Sequence, residues 1–123
     1  TMCKVTEMTI GNRVIHVADI KQKYIENIID AASKCDYIDK IVLFGSSLEN
    51  CCRADSDIDL AIFGNTSEMK ALSSKKYERF ARQLYSFDDH NQAYDLLYYK
   101  TGSGSKDAIM HDINKGELLY ARQ

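Results

Sequence analysis

The chain of 123 residues is long enough for one domain of ordinary size, so we expect a single domain over residues 1–123. A hydrophobic fraction of 45% and a charged fraction of 28% exclude a disordered or fibrous chain. The formal charge of -2 disfavours generic nucleic-acid binding, and the short apolar runs disfavour a membrane span, so we expect a cytoplasmic protein.

The first predicted element is a β-hairpin in an N-terminal extension, residues 1–18. Residues 4–10 and 13–17 alternate in polarity around Gly11-Asn12, a dipeptide that suits the positive φ of a tight turn. A helix is expected next, capped by Asp19 and ending near Lys34, because apolar residues recur at intervals of three and four. These residues are Tyr24, Ile25, Ile28, Ile29 and Ala32.

Two buried strands are predicted in the middle of the chain. Residues 38–44 end in the continuous β-prone run Ile-Val-Leu-Phe, which stops at Gly45, and residues 58–63 have the same character. We expect a short helix directly after Gly45. This region therefore predicts two core strands joined by a helical turn and a polar spacer.

One longer helix and a third strand are predicted next, over residues 67–85 and 93–99. The helix has an apolar face that we expect to be buried, whereas Lys75 and Lys76 lie on its solvated face. The apolar face comprises Met69, Leu72, Phe80 and Leu84.

The C-terminal region predicts a last helix and a closing strand. Ser105 can cap a helix over residues 106–114, Gly116 ends that helix, and residues 118–120 suit a short strand. Strands and helices thus alternate along most of the chain. This order predicts an α/β (α+β) fold in which helices pack against one mixed β-sheet, with the N-terminal β-hairpin added to it.

The segment between the two central strands carries the chemistry. Gly45-Ser46 follows a buried strand and opens a helical turn, where free backbone N–H groups and a hydroxyl can bind phosphate. Asp57 and Asp59 lie two residues apart on a predicted strand, so their side chains project from one face roughly 6 to 7 Å apart along the backbone. An isolated Asp-x-Asp is usually a solvated strand end, but the preceding Gly-Ser turn favours a functional site.

Two carboxylates on one face repel each other, and each needs positive charge nearby to stay ionised without cost. Arg53 is the only basic residue close in sequence. A bound divalent cation is therefore the favoured counter-charge, and oxygen ligands favour Mg²⁺ or Mn²⁺ over zinc. The predicted metal ligands are Asp57 and Asp59.

These residues resemble the minimal nucleotidyltransferases of the DNA polymerase β-like superfamily. That family carries a Gly-Ser turn, a spacer and an Asp-x-Asp strand, as do Gly45-Ser46, the ten-residue spacer 47–56 and Asp57-Ile58-Asp59. Ser56 occupies the place of the serine in the S-D-I-D-L run of the small members. The resemblance extends from about Tyr24 to the end of the chain and aligns the strand with Asp95 to the family's third carboxylate strand.

The resemblance implies a nucleotidyltransferase fold and a Mg²⁺-dependent transfer of a nucleoside monophosphate, AMP from ATP in the first instance, to a hydroxyl acceptor. Asp57, Asp59 and Asp95 would be catalytic and would bind two Mg²⁺ ions, with Mn²⁺ as a substitute. Nucleotide contacts would come from Gly45, Ser46 and Ser56. In this family such chains often accompany a helical HEPN-type protein and modify it as its antitoxin.

The sequence departs from the family pattern in the spacer, where Ser47, Glu49 and Asn50 stand in place of the arginines and the glycine of many small members. Two alternatives therefore stay open. One is a non-catalytic module of the same fold that binds a nucleotide or a partner. The other, disfavoured by the short chain, is an antibiotic (aminoglycoside) nucleotidyltransferase. The sequence does not decide which nucleotide is bound or whether the chain forms an oligomer.

The cysteines have no metal-binding pattern. None forms a C-x-x-C pair or alternates with histidines at zinc-ligand spacing, so we expect reduced thiols and no structural zinc. The residues concerned are Cys3, Cys35, Cys51 and Cys52.

Overall fold

The computed structural model of the chain describes residues 3–104 and 107–123. Short 3₁₀ turns occur at Asp19–Tyr24, Gly45–Leu48 and Phe87–His90. In chain order the strands and α-helices of the described residues are β1 (Val5–Ile10), β2 (Arg13–Ala18), α1 (Ile25–Ser33), β3 (Ile38–Phe44), β4 (Ile58–Gly64), α2 (Glu68–Leu72), α3 (Lys75–Ser86), β5 (Tyr94–Lys100), α4 (Ala108–Asn114) and β6 (Glu117–Ala121).

Strands β3 to β6 form a mixed sheet in the order β5-β4-β3-β6, and β1 pairs with β2 as a separate hairpin. Strand β4 runs antiparallel to β3 and parallel to β5, and β6 runs antiparallel to β3. The C-terminal end of β3 and the N-terminal ends of β4 and β5 therefore meet at one end of the sheet. This arrangement confirms the predicted mixed sheet, its packed helices and the N-terminal β-hairpin.

The sheet is apolar on both faces, which explains why β3 is a continuous apolar run rather than an alternating one. Ile41 and Leu43 point into the main core with α1 and α3, whereas Val42 and Phe44 point to the opposite face. On that second face they pack against Ile113 of α4. The central strands are thus held from both sides, and their ends can present side chains in fixed positions.

The N-terminal hairpin forms as predicted and packs on the rest of the fold. Gly11 adopts a φ of +59° at its tip, which is the left-handed region that glycine enters without steric cost. The guanidinium of Arg13 donates a hydrogen bond to the carbonyl oxygen of Leu118, at 2.8 Å. The backbone N–H of Val5 donates to Oδ1 of Asn50 in the spacer, also at 2.8 Å.

The first helix differs from the prediction at its start. Residues 19–24 form a 3₁₀ turn, and the α-helix begins at Ile25 without a side-chain cap. Asp19 is not the cap because its Oδ1 accepts hydrogen bonds from the N–H of Lys4 and of its neighbour Ile20. The carboxylate therefore closes the base of the hairpin instead. The predicted end near Lys34 is confirmed, since this residue is the C-cap.

The predicted helix over residues 67–85 is two helices, α2 and α3. Ser67 and Ser74 each cap one of them, because their hydroxyl oxygens accept the N–H groups of the residues three positions later. The change of direction turns Met69 to solvent, where it is 84% exposed, so its predicted burial is wrong. Leu72 is likewise exposed, whereas the predicted burial of Phe80 and Leu84 on α3 is confirmed.

The remaining strands agree with prediction to within one or two residues. The last helix is observed from Ala108, and its proposed cap Ser105 and first residue Lys106 lie outside the described residues. Within 3–104 and 107–123, no helix combines the length and apolarity needed to cross a lipid bilayer.

Candidate functional site

The predicted site residues meet at the end of the sheet where β3 stops and β4 and β5 begin. Asp59, in β4, pairs in register with Phe44, the last residue of β3, and on its other side with Asp95 of β5. Gly45 follows Phe44 directly, and Asp57 lies immediately before β4 rather than within the strand. The topology therefore brings the Gly-Ser turn, Asp57 and Asp95 close to Asp59.

Gly45 is in close contact with the Asp59 carboxylate. A Cβ atom at position 45 would lie 2.2 Å from Oδ2 of Asp59, which is far inside van der Waals contact. Gly45 also adopts a φ of +79°, a conformation that side chains disfavour. Both constraints require glycine here, and they place the carboxylate directly against the backbone of the turn.

The three carboxylates interact electrostatically. Burial is the main cause that raises the pKa of Asp59 to about 6, and the negative charges of Asp95 and Asp57 add to it. Asp57 and Asp95 are exposed, whereas Asp59 is only partly exposed. Among the described residues, none of the three forms an ion pair with a lysine, arginine or histidine. The site thus concentrates negative charge, and the cation whose charge reaches Asp57, Lys21, is not in direct contact with any of the three carboxylates.

These carboxylates fit a divalent cation in chemical type. Oxygen donors with uncompensated negative charge suit Mg²⁺ or Mn²⁺. Residues 3–104 and 107–123 nevertheless contain no group of three or more His, Cys, Asp or Glu side chains already close enough to hold a metal ion. Mg²⁺ is commonly bound by one or two carboxylates together with the phosphates of a substrate. The donor set therefore fits a cation that takes part of its coordination from ligands outside the protein rather than a preformed protein cage.

The Gly-Ser turn is a single 3₁₀ turn and not the short α-helix that was predicted. Four residues are too few to develop an α-helical macrodipole, so anion binding here depends on individual donors. Ser46 is partly exposed, and the hydroxyl of Ser47 is buried with no hydrogen-bond partner among the described residues. The predicted role of Gly45 and Ser46 in phosphate binding stays a prediction.

A shallow cavity of about 270 Å³ adjoins this turn and contains a cation that the sequence did not single out. Lys115, the C-cap of α4, lines the cavity together with Gly45 and Glu49. No sequence motif marks Lys115, since it lies 70 residues after Gly45 and approaches it only because β6 pairs with β3. Lys115 supplies positive charge beside the turn, whereas Glu49 and Asp112, which also line the cavity, are acidic.

Ser56 and Arg53 shape the turn before Asp57. The hydroxyl oxygen of Ser56 accepts the N–H of Arg53 at 3.0 Å, and the Ser56 N–H donates to the Arg53 carbonyl. The guanidinium of Arg53 pairs with Asp55 at 3.3 Å on the exposed surface. Arg53 is thus engaged away from Asp57, and a contact of Ser56 with nucleotide stays a prediction.

Sequence reasoning missed Lys21, which is only 1% exposed. Its Nζ donates hydrogen bonds to the carbonyl oxygens of Ser56 and Ala54, at 2.6 and 3.2 Å. Burial lowers the pKa of Lys21, although the nearby Cys52 and Asp57 oppose that shift. The signal was present in the sequence, because Lys21 is in helical phase with the buried Ile25 and Ile28.

Tyr85 borders the site from α3. Its hydroxyl donates to the carbonyl oxygen of Tyr94 at 3.2 Å, and its ring packs edge-on against that of Tyr94. Burial raises the pKa of Tyr85, and the charges of Asp57 and Asp95 raise it further. With 38% of its surface exposed, Tyr85 forms an aromatic border beside Asp95.

One comparison with known families gives a match that covers most of the chain. The sequence model described as "Polymerase beta, Nucleotidyltransferase" matches residues 26–123. The matched range contains the Gly-Ser turn, the Asp-x-Asp pair and Asp95, and it excludes the N-terminal hairpin and Lys21. No curated protein matches the sequence.

Proposed function

The chain belongs to the polymerase beta nucleotidyltransferase family, and from this premise we propose that it transfers a nucleoside monophosphate, AMP from ATP in the first instance, to a hydroxyl acceptor. The observation that carries the proposal is that Asp57 and Asp95 lie close to Asp59, whose carboxylate in turn contacts the Gly45 turn. Such a cluster of like charges raises the energy of the folded state. A bound divalent cation would offset that cost, and these oxygen donors suit one.

Asp57 and Asp59 are the proposed ligands of the cation that accompanies the triphosphate, and Asp95 joins Asp59 in binding a second. Bound Mg²⁺ would neutralise phosphate charge and activate the attacking hydroxyl. Both proposed tasks of Asp59 are supported by its contact with Gly45 on one side and its pairing with Asp95 on the other. A bound cation would also relieve the resting site, where burial and then the negative charges of Asp95 and Asp57 raise the pKa of Asp59.

In the proposed reaction the acceptor oxygen forms a bond to the α-phosphorus. The bond between that phosphorus and the oxygen bridging to the β-phosphate breaks, and pyrophosphate leaves. Asp95 takes the proton of the acceptor hydroxyl, a role that its exposed carboxylate at the start of β5 permits. The departing pyrophosphate is held by the Gly45 N–H and the Ser46 hydroxyl, with Lys115 beside them.

We propose a protein as the acceptor, with a helical HEPN-type partner and an antitoxin role as the specific case. Asp95 lies on β5, the edge strand of the sheet, and is open to solvent. A hydroxyl carried on a large surface can approach such a position. Tyr85, which is 38% exposed and close enough to Asp57 and Asp95 for their charges to raise its pKa, provides aromatic contact area beside the site.

A non-catalytic nucleotide-binding module of the same fold is the second candidate. It is favoured by one observation, that the described residues include no preassembled group of three metal-binding side chains. Binding of nucleotide without transfer to any acceptor would support this alternative. The two candidates therefore share the site and differ in whether the phosphoanhydride bond next to the α-phosphorus is broken.

The test uses ATP labelled at either the α- or the γ-phosphate, with Mg²⁺ and a lysate of the source cell as the supply of acceptors. Nucleotidyl transfer places the α-label, and not the γ-label, on an acceptor. Asp57→Asn should abolish the labelling, and Glu26→Gln, which removes an exposed carboxylate of α1, should preserve it. Transfer of the γ-label would indicate a kinase. If neither label is transferred to an acceptor, the result would favour the non-catalytic binding module.

A further inference from the structure

The N-terminal segment contacts the spacer between the Gly-Ser turn and Asp57 at two places. Near its start, the Val5 N–H donates to Oδ1 of Asn50, and the Cys3 thiol lies 3.5 Å from the Asn50 carbonyl oxygen. Further along, Lys21 reaches the other end of the spacer. Both contacts come from residues that precede the family match, which begins at residue 26. This chain therefore braces the spacer with a segment of its own.

The Lys21 contact is the more specific of the two. Its Nζ donates three hydrogen bonds. The acceptors are the carbonyl oxygens of Ala54 and Ser56 and, at 2.7 Å, Oε1 of Gln92. An ammonium has three N–H donors, so its hydrogen-bonding capacity is used completely. None is left over to bind a ligand, which excludes a direct role for Lys21 in holding phosphate.

Gln92 extends the contact to the second strand of the site. This side chain is 3% exposed, and its Nε2 donates to the carbonyl oxygens of Ser56 and Ala93, at 3.0 and 2.7 Å. The Ser56 carbonyl oxygen thus accepts hydrogen bonds from both Lys21 and Gln92. Asp57 follows Ser56 directly, and Asp95 lies three residues after Gln92. One buried network therefore ties together the two segments that lead into these carboxylates.

We propose that Lys21 is a positioning residue of the carboxylate site: its buried ammonium fixes the turn before Asp57 against the start of β5, so that Asp57 lies beside Asp59 and Asp95 when a metal-bound nucleotide is captured. This inference rests on the proposed function. It also gives the N-terminal segment a task in the site, in addition to packing.

Packing alone does not account for a lysine at this position. Removing an ammonium from water carries a large desolvation cost, and an apolar side chain of similar length fills the same volume without it. Three hydrogen bonds and the negative charges of Asp57 and Asp55 nearby offset part of this cost, although burial still lowers the pKa of Lys21. These partners lie in the turn before β4 or, for Gln92, two residues before β5, and both segments lead into carboxylates of the site.

The test compares Lys21→Met with Lys23→Met in the full chain. Lys23 is two residues away, 62% exposed and paired with Asp88 at 3.4 Å, so its substitution removes the same charge without touching the network. Hydrogen exchange over residues 53–58 and Mn²⁺-ATP affinity are measured at a temperature where circular dichroism shows each variant folded. Gln92→Met, which removes one link of the network, serves as the second variant if Lys21→Met does not fold.

We expect Lys21→Met to accelerate exchange over residues 53–58 and to weaken Mn²⁺-ATP binding about 10- to 100-fold, the usual cost of losing a group that orients a metal ligand. Gln92→Met should shift both in the same direction by less, and Lys23→Met should shift neither. A folded Lys21→Met protein, or in its place a folded Gln92→Met protein, with unchanged exchange or unchanged affinity overturns the inference. Absence of binding in the unmodified chain overturns the proposed function instead.

Discussion

The charge on Asp59 should destabilise the cation-free protein, and Asp59→Asn should therefore stabilise it at neutral pH. The pKa of this carboxyl is raised from 3.8 to about 6 by burial and by the neighbouring Asp95 and Asp57. Such a rise corresponds to about 3 kcal/mol at neutral pH, of which solvent screening at this partly exposed site leaves about 1 to 2 kcal/mol. The amide has nearly the shape of the carboxylate, so its contact with Gly45 should survive.

The pH dependence gives the sign of this effect. The folded state binds the proton of the Asp59 carboxyl more tightly than the unfolded state does. The contribution of the protonated carboxyl to the free energy of unfolding is therefore present in full below about pH 4. It is lost as the pH rises through about 6. The unmodified chain and Asp59→Asn should thus have similar stability at pH 4 and should diverge towards pH 7.

Thermal melts without divalent cations, at pH 4 to 7, measure the difference. Asp59→Asn should melt about 4 to 8 °C higher at pH 7, and Glu26→Gln, which removes an exposed carboxylate of α1, should show no such gain. Added Mg²⁺ with ATP should raise the melting temperature of the unmodified chain and not of Asp59→Asn. A lower melting temperature for Asp59→Asn at pH 7 would refute the reasoning, because it would mean that the carboxylate is stabilised by its surroundings.

Four further substitutions probe the remaining parts of the site. Gly45→Ala should cost about 1 to 3 kcal/mol of unfolding free energy in a urea titration, because φ is positive and the new Cβ would collide with Asp59; unaltered stability would contradict the observed contact. Ser46→Ala should weaken ATP binding by about 1.5 to 3 kcal/mol in calorimetry and leave Mg²⁺ binding without nucleotide unchanged. Asp95→Asn should retain Mg²⁺-ATP binding while transfer of the α-label falls by orders of magnitude; equal losses would make Asp95 an ordinary binding ligand. Lys115→Met should weaken triphosphate binding by about 0.3 to 1 kcal/mol, with an effect that fades at high salt, as expected for an exposed charge.

The sequence predicted the central strands well because their signals are local. The apolar run of β3 stops at Gly45, where the chain must turn, and the observed strand, Ile38–Phe44, has the predicted bounds. The pairing of Asp59 with Asp95 was less accessible, since it depends on the parallel register of β4 and β5. Resemblance to the family supplied Asp95, which no local pattern distinguishes from a solvated strand residue. The single domain over residues 1–123 stays a prediction.

The helix bounds were predicted wrongly where a polar side chain could accept a hydrogen bond in either of two structural roles. Asp19 is a good helix cap by type, but the same carboxylate closes the hairpin by accepting the Lys4 N–H. Ser74 suits a helix interior only weakly, and it instead accepts the Tyr77 N–H and starts a new helix. A single helix through residues 67–85 would bury Met69 on the same face as Phe80. Because the chain changes direction between α2 and α3, Met69 lies in solvent instead.

Lys21 shows a different limit of sequence reasoning. Its helical phase with Ile25 and Ile28 is visible in the sequence, but a lysine there predicts only an aliphatic stem along apolar surface with a solvated head. Burial of the ammonium requires acceptors 33 and 35 residues away in Ala54 and Ser56. Such partners become apparent only when the turn before β4 and the start of β5 have been brought together.

Diffraction from crystals grown with Mn²⁺ and a non-hydrolysable ATP analogue tests the central claim most directly, because anomalous scattering locates the cation without assumptions about the reaction. The account predicts an anomalous peak in contact with the carboxylates of Asp57 and Asp59, with the triphosphate against the Gly45-Ser46 turn. An ordered nucleotide elsewhere on the fold, or manganese peaks away from these carboxylates, would contradict it.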